Sequence, residues 1–202
     1  MKHSFVLLAM ITSGIAYGGY QVTQQTGQLG KNHNVTLENS TTFSLGGHPV
    51  KVGDLIPDIT LTNSVLKPVE THGSGKVRIY NLLVSIDTPV CVEQAIEFST
   101  LAEQYVDDTE QLEFINISAD TPFAQARFIS ERKFSQKVMF LSDSYKHEFG
   151  QKTGTNIEEL GLLSRAIIVV GKDDRILHIQ RVPELTQLPD LKAAIMVAKR
   201  HI

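Results

Sequence analysis

The stretch Val77-Arg-Ile-Tyr-Asn-Leu-Leu-Val84-Ser-Ile-Asp-Thr-Pro-Val-Cys91 decides the fold. Its first eight residues form an almost continuous apolar run of the length of a strand, the pattern of a strand buried on both faces. A turn containing Pro89 follows the run, and beyond it the apolar residues Val92, Ala95, Ile96, Phe98, Leu101, Ala102, Tyr105 and Val106 recur at helical spacing. That spacing predicts an amphipathic helix over Pro89–Val106 with one face on a core. A doubly buried strand leading straight into such a helix is the first half of a parallel crossover.

Outward from this unit, strands and helices continue to alternate. Leu112–Ser118 reads as the next strand, and Asp120 and Pro122 supply a cap and a first-turn proline for a helix through about Ser130. Val138–Leu141 is a short strand and Tyr145–Thr153 a short helix. Arg165–Val170 is an apolar strand closed by the turn Gly171-Lys-Asp-Asp174, with Ile176–Gln180 as its antiparallel partner. A last helix spans Asp190–Lys199, with cations at the end where the helix dipole favours them. Upstream, Asp58–Asn63 is a candidate strand, and Thr41–Leu45 with Val50–Val52 flank Gly46-Gly47 as a hairpin. Parallel crossovers ending in a hairpin give an α/β class: a mixed sheet flanked by helices.

Composition fits one such domain. The chain has 202 residues, 42% apolar and 20% charged, with 14 Gly and 7 Pro, which excludes disordered and collagen-like classes. The 19 Lys and Arg against 22 Asp and Glu leave a net charge of -3 with no basic block, so no nucleic-acid partner is expected. The seven His have no close pair at ligand spacing, so no structural zinc site is expected, and no cofactor is expected on other grounds. Residues 1–18 read as a signal peptide: Lys2, the apolar run Phe5–Ile11, then Ala16 and Gly18 in a small-x-small pattern. The apolar stretch covers about 20 Å as a helix, short of the roughly 30 Å hydrocarbon core, so no stable membrane span is expected. The expected location is outside the cytoplasm, in the periplasm. Residues 19–40, rich in Gln, Thr, Gly and Asn, read as a flexible segment, and 41–202 as the folded domain.

The chemistry gathers at one thiol. Cys91 is the only cysteine, so it cannot pair within its own chain, and a free thiol in an oxidising compartment is either buried or used. With Thr88 as N-cap and Pro89 at the first helical position, Cys91 falls in the first turn of its helix. Unpaired N–H groups and the helix dipole there favour anionic sulfur, the form that acts as a nucleophile. The competing reading, a small buried core residue, is the common fate of a free cysteine.

Thr88-x-x-Cys91 after a buried strand resembles the active-site signature of the peroxiredoxins. Further segments are similar to the thiol peroxidase subfamily, in the same order: Val52-Gly-Asp-Leu-Ile-Pro-Asp-Ile-Thr-Leu61, Ser85–Cys91, Ile117-Ser-Ala-Asp-Thr-Pro-Phe-Ala-Gln-Ala-Arg-Phe128, Gly161–Val170 and Val182-Pro-Glu-Leu185. The resemblance covers about residues 41–202. It implies a thioredoxin-like fold with an N-terminal β-hairpin, a homodimer, and reduction of hydrogen peroxide or organic hydroperoxides. On that resemblance Cys91 attacks the peroxide and becomes a sulfenic acid, Thr88 hydrogen-bonds the thiolate and the peroxide oxygen, and Arg165 stabilises the developing charge. Two positions depart from the pattern. Val84 stands where the family has a proline, and Ile129 where the subfamily usually carries a resolving cysteine. Turnover then requires an external thiol or a thioredoxin-like reductant. The alternative is a catalytically weakened redoxin-fold protein acting as a redox sensor or a partner-binding module.

Overall fold

The computed structural model describes residues 19–105 and 110–202; the expected signal peptide lies outside them. Two extended sheets organise the chain. The smaller joins β1 (Asn34–Leu37), β2 (Thr41–Gly46), β8 (Asn156–Ile157) and β9 (Leu162–Leu163) in that order. The larger has seven strands. These are β3 (Thr60–Asn63), β4 (Pro68–Glu70), β5 (Val77–Leu82), β6 (Leu112–Ser118), β7 (Val138–Ser142), β10 (Ala166–Val170) and β11 (Ile176–Arg181), in the order β11-β10-β5-β6-β7-β3-β4. Strands β5, β6 and β7 run parallel, and β10, β11, β3 and β4 add antiparallel edges.

The crossovers are α1 (Pro89–Gln104) between β5 and β6, and α2 (Pro122–Arg132) between β6 and β7. The remaining helices are α3 (Glu148–Thr153) and α4 (Leu191–Lys199). Because side chains alternate along β5, Val77 and Ile79 join Ala95 and Phe98 of α1 and Ala194 and Ile195 of α4 in one core. Tyr80 and Leu82 point the other way, into a second core with Phe149 of α3, Ile115 and Ile168. Helices therefore cover both faces, as the alternation of elements predicts, and the architecture is the mixed thioredoxin-like sheet. All six residues of β5 are buried, Arg78 and Asn81 included, which explains why its apolar residues fall on both faces instead of alternating.

The hairpin sits one turn earlier than the sequence suggests. β1 and β2 pair antiparallel around a turn in which Glu38 and Asn39 both hold positive φ, 55° and 52°. The carboxylate of Glu184 accepts the Glu38 and Asn39 N–H groups at 2.8 and 3.0 Å and fixes that turn from the other end of the chain. Gly46-Gly47 is not a hairpin turn. Gly47, at φ 85°, passes so close to α3 that a Cβ would stand 2.4 Å from the Gln151 carbonyl oxygen.

Residues 19–33, expected as a flexible segment, run along the body as a strap. Thr23 N–H donates to the Leu188 carbonyl at 2.9 Å, Leu188 N–H returns to Gln21 at 2.8 Å, and Gly27 N–H reaches Arg181 at 2.8 Å. The Gln180 side-chain amide closes the run on the Thr23 carbonyl at 2.7 Å.

Candidate active site

At the carboxyl end of β5, beside the parallel strand β6, residues Leu83–Thr88 leave the sheet and turn into α1. This is where open α/β sheets commonly gather their binding groups. Thr88 is the N-cap, extended at φ −108° and ψ 140°, with Pro89 following at the first helical position. Cys91 is thus the third helical residue, fully buried, and it packs in the same core as Val84.

An N-cap threonine ordinarily accepts the N–H of this third residue through its hydroxyl. Thr88 does not. Its Oγ1 donates to the Ser85 carbonyl at 3.0 Å, and its own N–H reaches the same oxygen at 3.1 Å. The side chain makes no cap bond, so among the described residues no partner takes the Val90 or Cys91 N–H. The expected bond from Thr88 to the thiol is likewise not formed in this state. The donor that reaches the sulfur is Ser85 N–H, 3.5 Å from Sγ.

Arg165 enters from the start of β10 and is buried to 1% exposure. Two of its N–H groups meet the Leu185 carbonyl at 3.2 and 2.9 Å, and a third meets Gln94 Oε1. None of these bonds goes to Cys91; the guanidinium touches α1 one turn further along. Sequence reasoning missed Gln94. It lies on the face formed by Cys91, Ala95, Phe98 and Ala102, and a glutamine on an apolar stripe is the signal that marks it. Its amide nitrogen donates to Asn81 Oδ1 and to the Leu82 carbonyl, and Asn81 donates to Asn116 at 2.8 Å. A buried chain of amides thereby fixes the plane of the Arg165 guanidinium from behind.

Asp120 was expected to cap α2. The cap is Thr121, whose hydroxyl accepts Ala124 N–H at 3.2 Å. Asp120 turns instead to the loop before Cys91, accepting Ser85 Oγ–H at 2.9 Å and Ile86 N–H at 3.0 Å. A groove of about 580 Å³ opens beside the loop, with Ile86, Thr88, Pro89, Val92, Ile96 and Phe128 in its walls; Cys91 is not among them. Ile129, at the position of the absent resolving cysteine, is half-buried against the core. Away from the site, ligand atoms of Asp58, Glu70 and His72 come within 4.8 Å of one another. Both carboxylates there are solvent-exposed, and His72 Nδ1 lies 2.9 Å from Asp58.

The mixed sheet, with Cys91 at the junction of β5 and α1, is a thioredoxin-like fold. Residues 51–195 match the Redoxin family. The chain is 39% identical over 163 residues to the thiol peroxidase of Oceanobacillus iheyensis, covering 80% of this chain and 96% of that one. It is 38% identical over 157 residues to the thiol peroxidase of Bacillus subtilis, covering 77% and 91%. Among solved structures, a peroxiredoxin-like protein from Aquifex aeolicus superposes with a TM-score of 0.78 at 28% identity, over 87% of this chain and all (100%) of that one. A thiol peroxidase from Chromobacterium violaceum, at 19% identity and a TM-score of 0.69, shares the fold over 83% of this chain and 95% of that one. The chain belongs to the redoxin family, in its thiol peroxidase branch.

Proposed function

We propose that this enzyme reduces hydrogen peroxide or organic hydroperoxides at Cys91, using an external thiol as reductant. The observation that carries the reading is the open N–H of Cys91 at an uncapped helix start. The Cys91 thiolate attacks one peroxide oxygen, the O–O bond breaks, and the other oxygen leaves with a proton as water or alcohol. Cys91 is then a sulfenic acid. Free N–H groups at the helix start receive the negative charge that develops on oxygen, and Thr88 offers its hydroxyl to the same oxygens after leaving Ser85. Arg165, oriented by Gln94, supplies a fixed positive charge to this end of α1.

With Cys91 the only cysteine, the sulfenic acid meets no second thiol in its own chain. An outside thiol attacks the oxidised sulfur, displacing water and leaving a mixed disulfide. A second thiol cleaves that bond, restoring Cys91 and releasing the reductant's disulfide. Among the described residues no helix is long and apolar enough to cross a membrane. The Lys2-led apolar segment supports an exported, periplasmic enzyme, and the family resemblance supports a homodimer.

The test follows Cys91 by intact mass after mixing reduced protein with hydrogen peroxide, with Cys91→Ser as control, then counts peroxide consumed once dithiothreitol or a thioredoxin is added. Formation of the sulfenic acid far faster than for free cysteine, and many equivalents consumed, are expected. Oxidation no faster than that of a free thiol would overturn the proposal in favour of a sensor or binding module.

A further inference from the structure

Every polar atom of Ser85 is engaged, and together they tie the loop into one unit. Its N–H points at the Cys91 sulfur, its carbonyl takes both Thr88 donors, and its hydroxyl accepts Asp87 N–H at 3.3 Å while donating to Asp120. All of these partners except Asp120 belong to residues 85–91. Asp120 is the outside anchor: one carboxylate oxygen takes the Ser85 hydroxyl and the other the Ile86 N–H, while its backbone carbonyl accepts the Ser142 hydroxyl from the end of β7. The carboxylate thus fastens the loop to the rim of the sheet with two charge-assisted bonds.

Cys91 has no exposed surface, and it is the chain's only thiol. An attacking thiol must reach the sulfur itself, in line with the bond it breaks, so the 85–88 loop has to move away in each cycle. The peroxide step needs the opposite: Ser85, Thr88 and the helix start must be assembled around the thiolate.

We propose that Asp120 is the positioning residue that sets the balance between these two states. It holds the loop closed for attack on peroxide and thereby limits access of outside thiols and disulfides to Cys91. This rests on the reading of Cys91 as the peroxide-attacking thiol, but its central measurement does not.

Reduced full-length protein is mixed with a dithionitrobenzoate disulfide. Cys91 sulfur attacks one sulfur of the reagent, the reagent's S–S bond breaks, and coloured thionitrobenzoate leaves as the thiol proton is released. Asp120→Ala removes both bonds, so the open population and the labelling rate rise about tenfold, while sulfenic acid formation with hydrogen peroxide falls about tenfold or more. Ser85→Ala, which removes one of the two Asp120 bonds together with the longer one from Asp87 N–H, shifts both rates in the same directions by less. In Asp120→Asn one oxygen still accepts Ile86 N–H and the amide can donate to the Ser85 hydroxyl, which restores most of both rates.

A merely structural loss would also expose the buried thiol, but through global unfolding, so its labelling rate would climb steeply with added urea; opening of the 85–88 loop alone gives a raised labelling rate that is nearly independent of urea well below the unfolding midpoint. Unchanged labelling in both Asp120→Ala and Ser85→Ala overturns the proposal, as does a fall in labelling alongside the fall in oxidation. Should Asp120→Ala fail to fold, the Ser85→Ala pair of rates decides. A wild-type chain inert to peroxide would instead overturn the peroxidase reading, and the labelling rates would still decide the role of Asp120.

Discussion

Two helices of this molecule begin with the same three residues. Asp87-Thr88-Pro89 opens α1 and Asp120-Thr121-Pro122 opens α2, each with threonine as an extended N-cap and proline in the first turn. At α2 the threonine hydroxyl takes the N–H of the third helical residue, Ala124, and the start is closed. At α1 the hydroxyl turns back to the Ser85 carbonyl, and the N–H of the third residue, Cys91, stays open. The two aspartates part company as well. Asp87 is exposed, 3.4 Å from Arg127 on the surface, while Asp120 faces inward onto the other helix's loop. A tripeptide specifies that a helix begins; the residue lying in front of it determines whether the first turn is satisfied or left ready for a ligand.

The contrast can be broken most directly by moving the thiol. In a Cys91→Ser background, Ala124→Cys puts a cysteine at the matching position of the closed start. Its oxidation by hydrogen peroxide is expected at the rate of an ordinary thiol, about a hundredfold or more below Cys91; stopped-flow mixing with mass detection checks this. Thr88→Ala comes next: Cys91 oxidation should slow by about 10- to 100-fold, with Thr88→Ser restoring most of it, read from the same assay. Thr121→Ala should leave that rate at the wild-type value and instead lower stability by about 1 kcal/mol, the worth of a cap. In a thermal melt of a chain this size that is a fall of about 2–4 °C.

The smallest effect concerns a third helix start. The N-cap of α3, His147, makes no side-chain bond, and the carboxylate of Asp143 accepts the Phe149 and Gly150 N–H groups at 2.9 and 3.0 Å. Burial pushes the Asp143 carboxyl above its ordinary value, and the two N–H bonds only partly oppose this. A folded-state value above the unfolded one means that the stabilisation from protonation is complete below the unfolded value and is lost as pH rises through the folded one. The stability of wild type relative to Asp143→Asn should therefore shift in favour of wild type as pH falls from about 7 to about 4, measured by urea midpoints.

Sequence periodicity was enough for β5, α1, β6, β10 and β11, because these elements are long and wholly or half buried, so burial writes their pattern. It was misleading at the hairpin. Gly46-Gly47 looks like a turn, yet glycine is needed there for the approach to Gln151, while Glu38 and Asn39 hold their unfavourable φ because Glu184 grips their N–H groups from far along the chain. Long-range anchoring of that kind leaves no local trace. The same applies to the site. Thr88, Cys91 and Arg165 are legible from type and spacing, but Asp120 has the look of a local cap, and its true partners, Ser85 and Ile86, lie across the sheet rim. Gln94 does leave a trace, since a polar residue between Cys91 and Ala95 on a buried face needs a buried partner.

The amino-terminal strap has a mechanical consequence. Tyr20 N–H bonds to Glu93 Oε1 on α1 at 2.9 Å, and Tyr20 itself lines the groove that Thr88 and Pro89 border. Tension applied ahead of residue 19 is therefore delivered first to the helix that carries Cys91. Only after that single bond yields does the load pass to the Thr23–Leu188 pairing and the sheet beyond.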